Sequence, residues 1–151
     1  EIYKDPKWPS EPLFYANFTS ITNEHTAPKG CENGFILIPL APGIEDTEAL
    51  REKYFNIVIE RIESITEQKI KNNIIYKKSF CVSDFIEEYN SYKGNAYGLA
   101  NTLLQTSFLR PKLKSKLVKN MYFTGQLSVP GPGVPPAIVS GKLVADLINN
   151  K

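Results

Sequence analysis

The sequence predicts an α+β fold in which a mixed β-sheet is covered by one long helix and followed by a strand–turn–helix tail. Three observations support this prediction. Two apolar runs in the N-terminal third, the first of them rich in aromatic residues, are typical of β-strands. The segment after them repeats its apolar residues at helical spacing. Near the C-terminus, a third apolar run enters a turn rich in glycine and proline, and a helical stretch follows.

The first two strands are predicted at residues 13–21 and 34–40, after an irregular lead-in over residues 1–11. The first run is rich in aromatic residues, and the second is continuously apolar, as expected of a buried strand. Residues 26–33 between them are rich in turn-forming types. Two successive strands joined in this way favour an antiparallel pair.

The most regular pattern predicts a long helix that begins after Pro42 and Gly43, with Asp46 as its N-cap. Its apolar residues recur three or four positions apart, which places them on one face. These residues are Leu50, Tyr54, Ile57, Val58, Ile62 and Ile65. The carboxylates between them are predicted to form the opposite, solvated face and not a catalytic pair.

The middle of the chain is predicted to contain shorter elements. Residues 70–76 alternate loosely and indicate another strand. Ser83 is a predicted cap for a short helix. Residues 94–98 form a flexible, glycine-punctuated segment, and residues 99–104 are predicted to form a helical turn.

Composition and charge exclude several classes of function. The net charge of +2 gives no indication of a nucleic-acid partner. The single histidine, His25, excludes a multi-histidine zinc site, and we predict no metal site. Cys31 and Cys81 lie too far apart for C-x-x-C chemistry. No apolar run approaches the length of a membrane span.

One basic cluster interrupts the otherwise scattered positive charge. It consists of Lys112, Lys114, Lys116 and Lys119. Short charge runs usually form solvated loops, and that is the first interpretation. The alternative is contact with anionic lipid headgroups, which attract lysines near a membrane surface.

The C-terminal tail carries the strongest indication of a ligand site. Residues 121–126 are predicted as a buried strand, residues 127–136 as a turn, and residues 137–148 as a helix. Glycines let the backbone approach a ligand closely, and a helix N-terminus presents free N–H groups with a partial positive charge. The tail is therefore interpreted as a pocket for an anion or a polar ring edge. The alternative is a tight connector between sheet and helix.

Residues 120–148 closely resemble the C-terminus of bacterial phytoene desaturases, which are FAD-dependent oxidoreductases of carotenoid formation related to the amine-oxidase flavoproteins. Shorter upstream segments resemble the family's landmarks in the same order, at residues 18–20, 27–30, 82–85, 94–99 and 105–111. The resemblance implies that residues 1–118 are the C-terminal part of a substrate-binding domain. Residues 119–151 would then supply the last strand, turn and helix of an FAD-binding domain.

The resemblance also implies cofactor contacts at the turn. Gly125 falls where the family's final strand meets the FAD pyrophosphate and ribityl chain, where a glycine lets a backbone N–H reach a phosphate. Gln126 stands where many relatives in the wider superfamily carry Asp or Glu. A glutamine can hydrogen-bond ribityl hydroxyls but carries no charge.

The start of the last helix corresponds to the family's site for the flavin pyrimidine edge. A helix N-terminus there would stabilise negative charge on a reduced flavin. Val134 and Ala137 are the expected backbone donors, since Pro135 and Pro136 have no N–H and instead fix the backbone for helix initiation.

A substrate contact is implied further upstream. Gly94, Tyr97 and Gly98 resemble the family's loop beside the substrate tunnel and the flavin, with an ordinary surface turn as the alternative. The implied reaction removes a hydride and a proton from adjacent carbons of a polyene, and the flavin accepts the hydride. No residue of this chain is predicted as the catalytic acid or base.

The chain lacks the G-x-G-x-x-G unit that binds the ADP half of FAD in such enzymes. We therefore expect it to be a C-terminal fragment that is inactive and colourless by itself. Its expected partners are a carotenoid and the missing N-terminal half, with peripheral membrane contact and self-association through exposed apolar surface as further expectations. The expected location is cytoplasmic, at or near the inner membrane.

The sequence favours a desaturase of phytoene or a related carotenoid. Two alternatives stay open. One is another carotenoid or retinoid flavoprotein, such as a ketolase, an isomerase or a saturase-like enzyme. The other is a lipid-binding or interaction module without redox chemistry.

Overall fold

The computed structural model describes residues 2, 4–100, 102–106 and 109–150 of the chain, which forms two units, Glu1–Asn95 and Ala96–Lys151. Two predicted features extend beyond the described residues: Asn101 lies in the predicted helical turn, and Ser107 and Phe108 lie in the upstream segment 105–111. The regular elements are β1 (Tyr15–Asn17), β2 (Phe35–Leu37), α1 (Glu48–Thr66), α2 (Val82–Tyr89) and α3 (Val134–Asn149). Short 3₁₀ helices occupy Thr19–Ile21, Glu24–Thr26, Lys71–Asn73, Tyr92–Gly94 and Leu103–Gln105.

The sheet of the first unit is a two-stranded antiparallel pair. Tyr15 lies opposite Leu37, and Asn17 lies opposite Phe35. The antiparallel pairing is confirmed, but the prediction of a larger mixed sheet is wrong for the described residues. The first strand is also shorter than predicted, because the chain turns into the 3₁₀ helix Thr19–Ile21 directly after it.

The long helix α1 is confirmed, and it carries most of the buried apolar side chains of the first unit. Its buried residues are Tyr54, Val58, Ile59 and Ile62. Ile65, predicted to lie on the same face, is 74% exposed.

The polar contacts of α1 reach the N-terminal lead-in. Tyr54 stacks on Trp8, with ring centroids 4.4 Å apart, and its hydroxyl donates to the Pro9 carbonyl at 2.8 Å. Arg61 donates to the Pro12 carbonyl at 2.8 Å, and its guanidinium lies over the ring of Phe14. These contacts tie the irregular lead-in to the helix.

Two helix starts differ from the predictions. Thr47, and not Asp46, caps α1, because the Thr47 hydroxyl accepts from the Leu50 N–H at 3.3 Å. Helix α2 begins after Cys81, whose N–H donates to the Asp84 carboxylate at 2.7 Å. The predicted caps Asp46 and Ser83 contact one another instead, as described below.

The strand predicted at residues 70–76 is wrong. The N–H groups of Ile70 and Lys71 both donate to the Glu63 carboxylate of α1, which turns the chain into the 3₁₀ helix Lys71–Asn73. Ile75 and Tyr76, which would have supplied the strand's apolar side chains, are 85% and 79% exposed.

The second unit contains α3 and little other regular structure. Residues 121–126, predicted as a strand, form only an isolated antiparallel bridge between Lys114 and Tyr122. The predicted helical turn is found later, at Leu103–Gln105. Helix α3 begins at Val134, earlier than predicted, because Pro135 and Pro136 are accommodated in its first turn, where a missing N–H costs no intrahelical bond.

Candidate functional site

The segment between Thr124 and α3 is held by one buried serine. The Gly125 N–H donates to Ser140 Oγ at 2.7 Å, and Thr124 Oγ1 lies 2.8 Å from the same oxygen. Ser140 Oγ in turn donates to the Ala137 carbonyl at 2.7 Å, and the residue is fully buried. A single hydroxyl therefore joins the entry of the turn to the second turn of the helix.

A second set of contacts fixes the middle of the turn. Ser128 donates to the Gly125 carbonyl through its N–H at 3.2 Å and through its hydroxyl at 2.9 Å. Arg110, 4% exposed, donates to the Gln126 carbonyl at 3.4 Å. Its guanidinium also lies against Gly131, where an added Cβ would meet Arg110 Cζ at 3.4 Å. Ser128 and Arg110 therefore hold the turn from Gly125 to Gly131.

Gly125 presents an open side. An added Cβ at this position meets no atom within 4 Å among the described residues, and φ is +99°, a conformation that L side chains rarely adopt. The surface beside its Cα can therefore receive a group that approaches the backbone closely. Its N–H, predicted to face a phosphate, instead donates to Ser140, so that contact stays a prediction.

The helix start offers fewer donors than the sequence indicated. The Ala137 N–H donates to the Gly133 carbonyl at 3.0 Å and so makes the first intrahelical bond. Pro135 and Pro136 carry no N–H. Of the four residues predicted to border a flavin edge, Val134 alone retains an N–H outside the helix ladder, and its side chain is 74% exposed.

The predicted substrate residues divide between the two units. Gly94 is buried in the first unit, where an added Cβ would meet the Val82 carbonyl oxygen at 2.3 Å. A glycine is needed there for packing against the start of α2. Gly94 itself is therefore buried, whereas Tyr97 is exposed, so both substrate contact and the surface-turn alternative stay predictions for this segment.

In the second unit, the segment after Ala96 lies against the turn. The Gln126 side chain donates to the Ala96 carbonyl at 3.2 Å. Gly98, with φ of +81°, packs so closely that an added Cβ would lie 2.6 Å from Leu127 Cδ2. Tyr97 between them is 61% exposed. The structure thus brings a predicted substrate residue next to predicted cofactor residues.

A half-buried charged cluster in the first unit was missed by the sequence reasoning. Asp46 accepts from Arg51 Nε and Nη2 at 2.7 Å each, and from the N–H and hydroxyl of Ser83 at 2.8 and 2.7 Å. Arg51 also contacts the Asp84 carboxylate at 2.7 Å. The hydrogen bonds from Arg51 hold the pKa of Asp46 well below its ordinary value, and those from Asp46 raise the pKa of Arg51. Both groups are therefore charged near neutral pH, and the pair joins the start of α1 to α2.

Other reactive chemistry is not prominent in the part of the chain that the structure covers. Burial raises the pKa of the Cys81 thiol to about 11, so it is protonated and unreactive at neutral pH. Within residues 2, 4–100, 102–106 and 109–150, no three acidic, histidine or cysteine side chains gather into a metal-binding group. The helices of these residues include none that is both long and apolar enough to cross a bilayer.

Replacing Ser140 with alanine is expected to lower the free energy of unfolding by about 1–3 kcal/mol, because the part-buried Gly125 N–H would lose its acceptor. Urea titration followed by circular dichroism measures this change. Thr124→Val is the matched control, since it removes only the Thr124–Ser140 bond and should cost less. A Ser140→Ala variant as stable as the native protein would contradict the assigned role.

No family model matches the chain, but several carotenoid desaturases are similar to it. A carotenoid 3,4-desaturase of Haloarcula japonica is 41% identical over 148 residues, which cover 98% of this chain and 30% of that protein. A 4,4'-diapophytoene desaturase (4,4'-diaponeurosporene-forming) of Staphylococcus haemolyticus is 32% identical over 93% of this chain and 29% of its own length. A 4,4'-diapophytoene desaturase (4,4'-diaponeurosporene-forming) of Staphylococcus aureus strain Newman is 30% identical over 90% of this chain and 28% of its own length. The chain spans under a third of the length of these relatives. It is therefore homologous to a C-terminal part of the carotenoid desaturases.

Proposed function

We propose that this chain is part of an FAD-dependent oxidoreductase that desaturates phytoene or a related carotenoid. The observation that carries the proposal is the match of nearly the whole chain to a carotenoid 3,4-desaturase. The open glycine turn supports it independently, because such a turn suits a cofactor that must approach the backbone closely. The same match disfavours a module without redox chemistry.

The turn fits the pyrophosphate and ribityl portion of FAD. The open side of Gly125 leaves room for a phosphate against its Cα. The Gln126 amide nitrogen donates to the Ala96 carbonyl, which leaves the side-chain oxygen of Gln126 to accept from a ribityl hydroxyl. The exposed Gly133 has no side chain to block the approach to α3. Ser140 and Arg110 would act only by positioning the turn.

The start of α3 would border the flavin ring. The Val134 N–H is the donor for a carbonyl of the pyrimidine edge, and the positive end of the helix favours negative charge there. Ala137 would contribute packing and not a hydrogen bond, because its N–H is used within the helix. When bound, FAD supplies the acceptor for a hydride.

This chain would help to position the polyene and to exclude water. Gly98 packs closely against the Leu127 side chain beside the turn. The exposed parts of Tyr97 and Leu127 offer apolar surface to a hydrocarbon. The reaction would remove a hydride from one carbon and a proton from its neighbour, and the electron pair left behind would form the new double bond; bound FAD would supply the hydride acceptor. The base that takes this proton is not assigned to a residue of this chain.

The outer face of α3 would pack on the rest of the full-length protein, including the part that binds the ADP half of FAD. Apolar side chains on this helix are exposed well beyond what a solvated helix needs. They are Val134, Ile138, Val139, Leu143, Leu147 and Ile148. In the isolated chain, this face would favour self-association. The proposed location of the full-length protein is the cytoplasm, next to the membrane that holds the polyene.

The test is product analysis of the full-length protein produced in a carotenoid-accumulating host. We expect a product that has lost pairs of hydrogens and absorbs at longer wavelength, because each new double bond extends the conjugated system. Chromatography with mass detection distinguishes the alternatives: a ketolase adds oxygen, a saturase adds hydrogen, and an isomerase leaves the mass unchanged. Any of these three products, or none, would contradict the proposal.

The 151-residue chain is the matched control for cofactor binding. It contains the proposed contacts to the flavin edge and the ribityl chain but no G-x-G-x-x-G motif for the ADP half. The full-length protein should therefore purify yellow, and the chain alone should be colourless. A stoichiometric flavin spectrum from the chain alone would overturn this division of the cofactor site.

A further inference from the structure

The charges of the chain are unevenly divided. Residues 96–151 contain seven basic residues and one acidic residue, whereas residues 1–95 contain eleven basic and fifteen acidic residues. The one acid, Asp146, pairs with Lys142 at 2.6 Å, and Arg110 is buried beneath the turn. Among the described residues of the second unit, the exposed and unneutralised positive charge is therefore concentrated between residues 112 and 119.

This segment forms a hairpin-like projection, here named the lysine hairpin (residues 112–123). Its two sides are joined by the Lys114–Tyr122 bridge. The Phe123 N–H donates to the Leu113 carbonyl at 2.8 Å, and the Ser115 N–H donates to the Met121 carbonyl at 3.0 Å. The lysines thus lie on a folded element with a defined tip. The interpretation as a solvated loop does not explain why that tip carries apolar side chains, which are described next.

The tip of the lysine hairpin is apolar. The Ser115 hydroxyl accepts from the N–H groups of Leu117 and Val118 at 3.2 and 3.0 Å, which folds the tip back on itself. Leu117 is left 96% exposed and Val118 52% exposed, with Lys116 and Lys119 on either side. Single exposed leucines are ordinary on protein surfaces. An exposed apolar tip flanked by exposed lysines, however, can bind a partner that offers both apolar surface and negative charge.

We propose that the lysine hairpin docks on a bilayer that contains anionic lipids. Leu117 and Val118 enter the boundary between headgroups and acyl chains, while the four lysines remain at the level of the phosphates. Apolar insertion and attraction to anionic headgroups strengthen one another at such sites, and a lysine stem can lie along apolar surface with its ammonium group in water. Nucleic acid is the less suitable partner, since it would use the lysines and leave the aliphatic tip in water.

This inference identifies a docking surface and does not depend on the cofactor or on the reaction. The test is flotation of the full-length protein with vesicles of phosphatidylcholine, with or without phosphatidylglycerol. We expect binding to the anionic vesicles, weaker binding to the neutral ones, and weakening of the anionic binding as salt screens the lysines. Equal binding to both vesicle types, or to neither, would overturn the proposal.

Three variants separate insertion from simple charge attraction. Leu117→Ser should weaken vesicle binding about tenfold through lost burial. Lys116→Gln combined with Lys119→Gln should weaken it by about twenty-fivefold, at about fivefold for each lysine. Leu103→Ser is the matched control, because Leu103 is 88% exposed in the same unit but outside the hairpin, and it should bind as the native protein does.

The pattern among the variants decides the outcome. An unchanged affinity of Leu117→Ser, or an equal loss in Leu103→Ser, would overturn the insertion of the tip. Binding of single-stranded RNA that depends on the lysines, without any vesicle binding, would favour nucleic acid and reject the membrane. A Leu117→Trp variant gives a direct reading, since an inserted indole emits at shorter wavelength on adding anionic vesicles.

Discussion

Replacing Asp46 with asparagine is expected to lower the free energy of unfolding by on the order of 3 kcal/mol. Asp46 is 4% exposed at its side chain and accepts four hydrogen bonds from Arg51 and Ser83. Asparagine leaves the half-buried Arg51 guanidinium with Asp84 as its remaining counter-charge, and losing one partner of a desolvated ion pair costs more than the intact pair contributes. Urea unfolding measures the loss, and hydrogen exchange should locate it at the starts of α1 and α2.

Glu52→Gln is the matched control for this prediction. It also removes a carboxylate that pairs with a basic side chain, but Glu52 and Lys77 are both exposed, and their pair should contribute little to stability.

The pH dependence of stability is a second test of the role of Asp46. The pKa of Asp46 is lowered by folding from an ordinary value of 3.8, so its contribution is complete above that pH and is lost as the pH falls further. The difference between native and Asp46→Asn proteins should therefore shrink below about pH 4; a constant difference would contradict the assignment.

The elements that were predicted well depend on local sequence. Helix α1 follows from its apolar spacing, and Tyr54, Val58 and Ile62 form the buried face that the spacing indicates. The last helix follows from the proline-rich start, where two prolines are compatible with the first turn. In both cases, neighbouring residues along the chain decide the structure.

The predictions that were wrong involve competition between side chains. Asp46 is a suitable N-cap, but its carboxylate gains more from Arg51, and the adjacent Thr47 takes the cap. Glu63 draws residues 70 and 71 out of a strand by accepting their N–H groups. A pattern of apolar residues contains no information about which of several polar partners a side chain will choose.

The candidate site was predicted in part for the same reason. The glycine turn and its helix are local and could be identified from the sequence. Ser140 and Arg110 are 15 and 16 residues away from the backbone groups that they hold, and neither was predicted. The one sequence signal for Ser140 is the helical spacing of the small residues Ala137, Gly141 and Ala145 around it, which is compatible with close packing of α3.

Replacing Gly125 with valine in the full-length protein is expected to weaken FAD binding roughly ten- to a hundredfold. The Cβ and its methyl groups would enter the open side of the turn, where the proposal seats a phosphate. Because the Gly125 N–H is already bonded to Ser140, the loss would come from hydrogen bonds between the phosphate and neighbouring donors, each worth on the order of 1.5–3 kcal/mol. Titration of the apoprotein with FAD, followed by quenching of flavin fluorescence, measures the dissociation constant.

Backbone strain must be separated from cofactor contact, because valine at φ of +99° is strained wherever it occurs. Gly30 supplies the control: its φ is +80°, an added Cβ there also meets nothing within 4 Å, and no cofactor role is proposed for it. Gly30→Val and Gly125→Val should lose similar stability on heating, about 1–3 kcal/mol. FAD affinity should fall only for Gly125→Val, and Gly125→Ala should retain part of it. If both valine variants keep native affinity while folded, or if both lose it equally, Gly125 serves the turn alone and the cofactor contact is wrong.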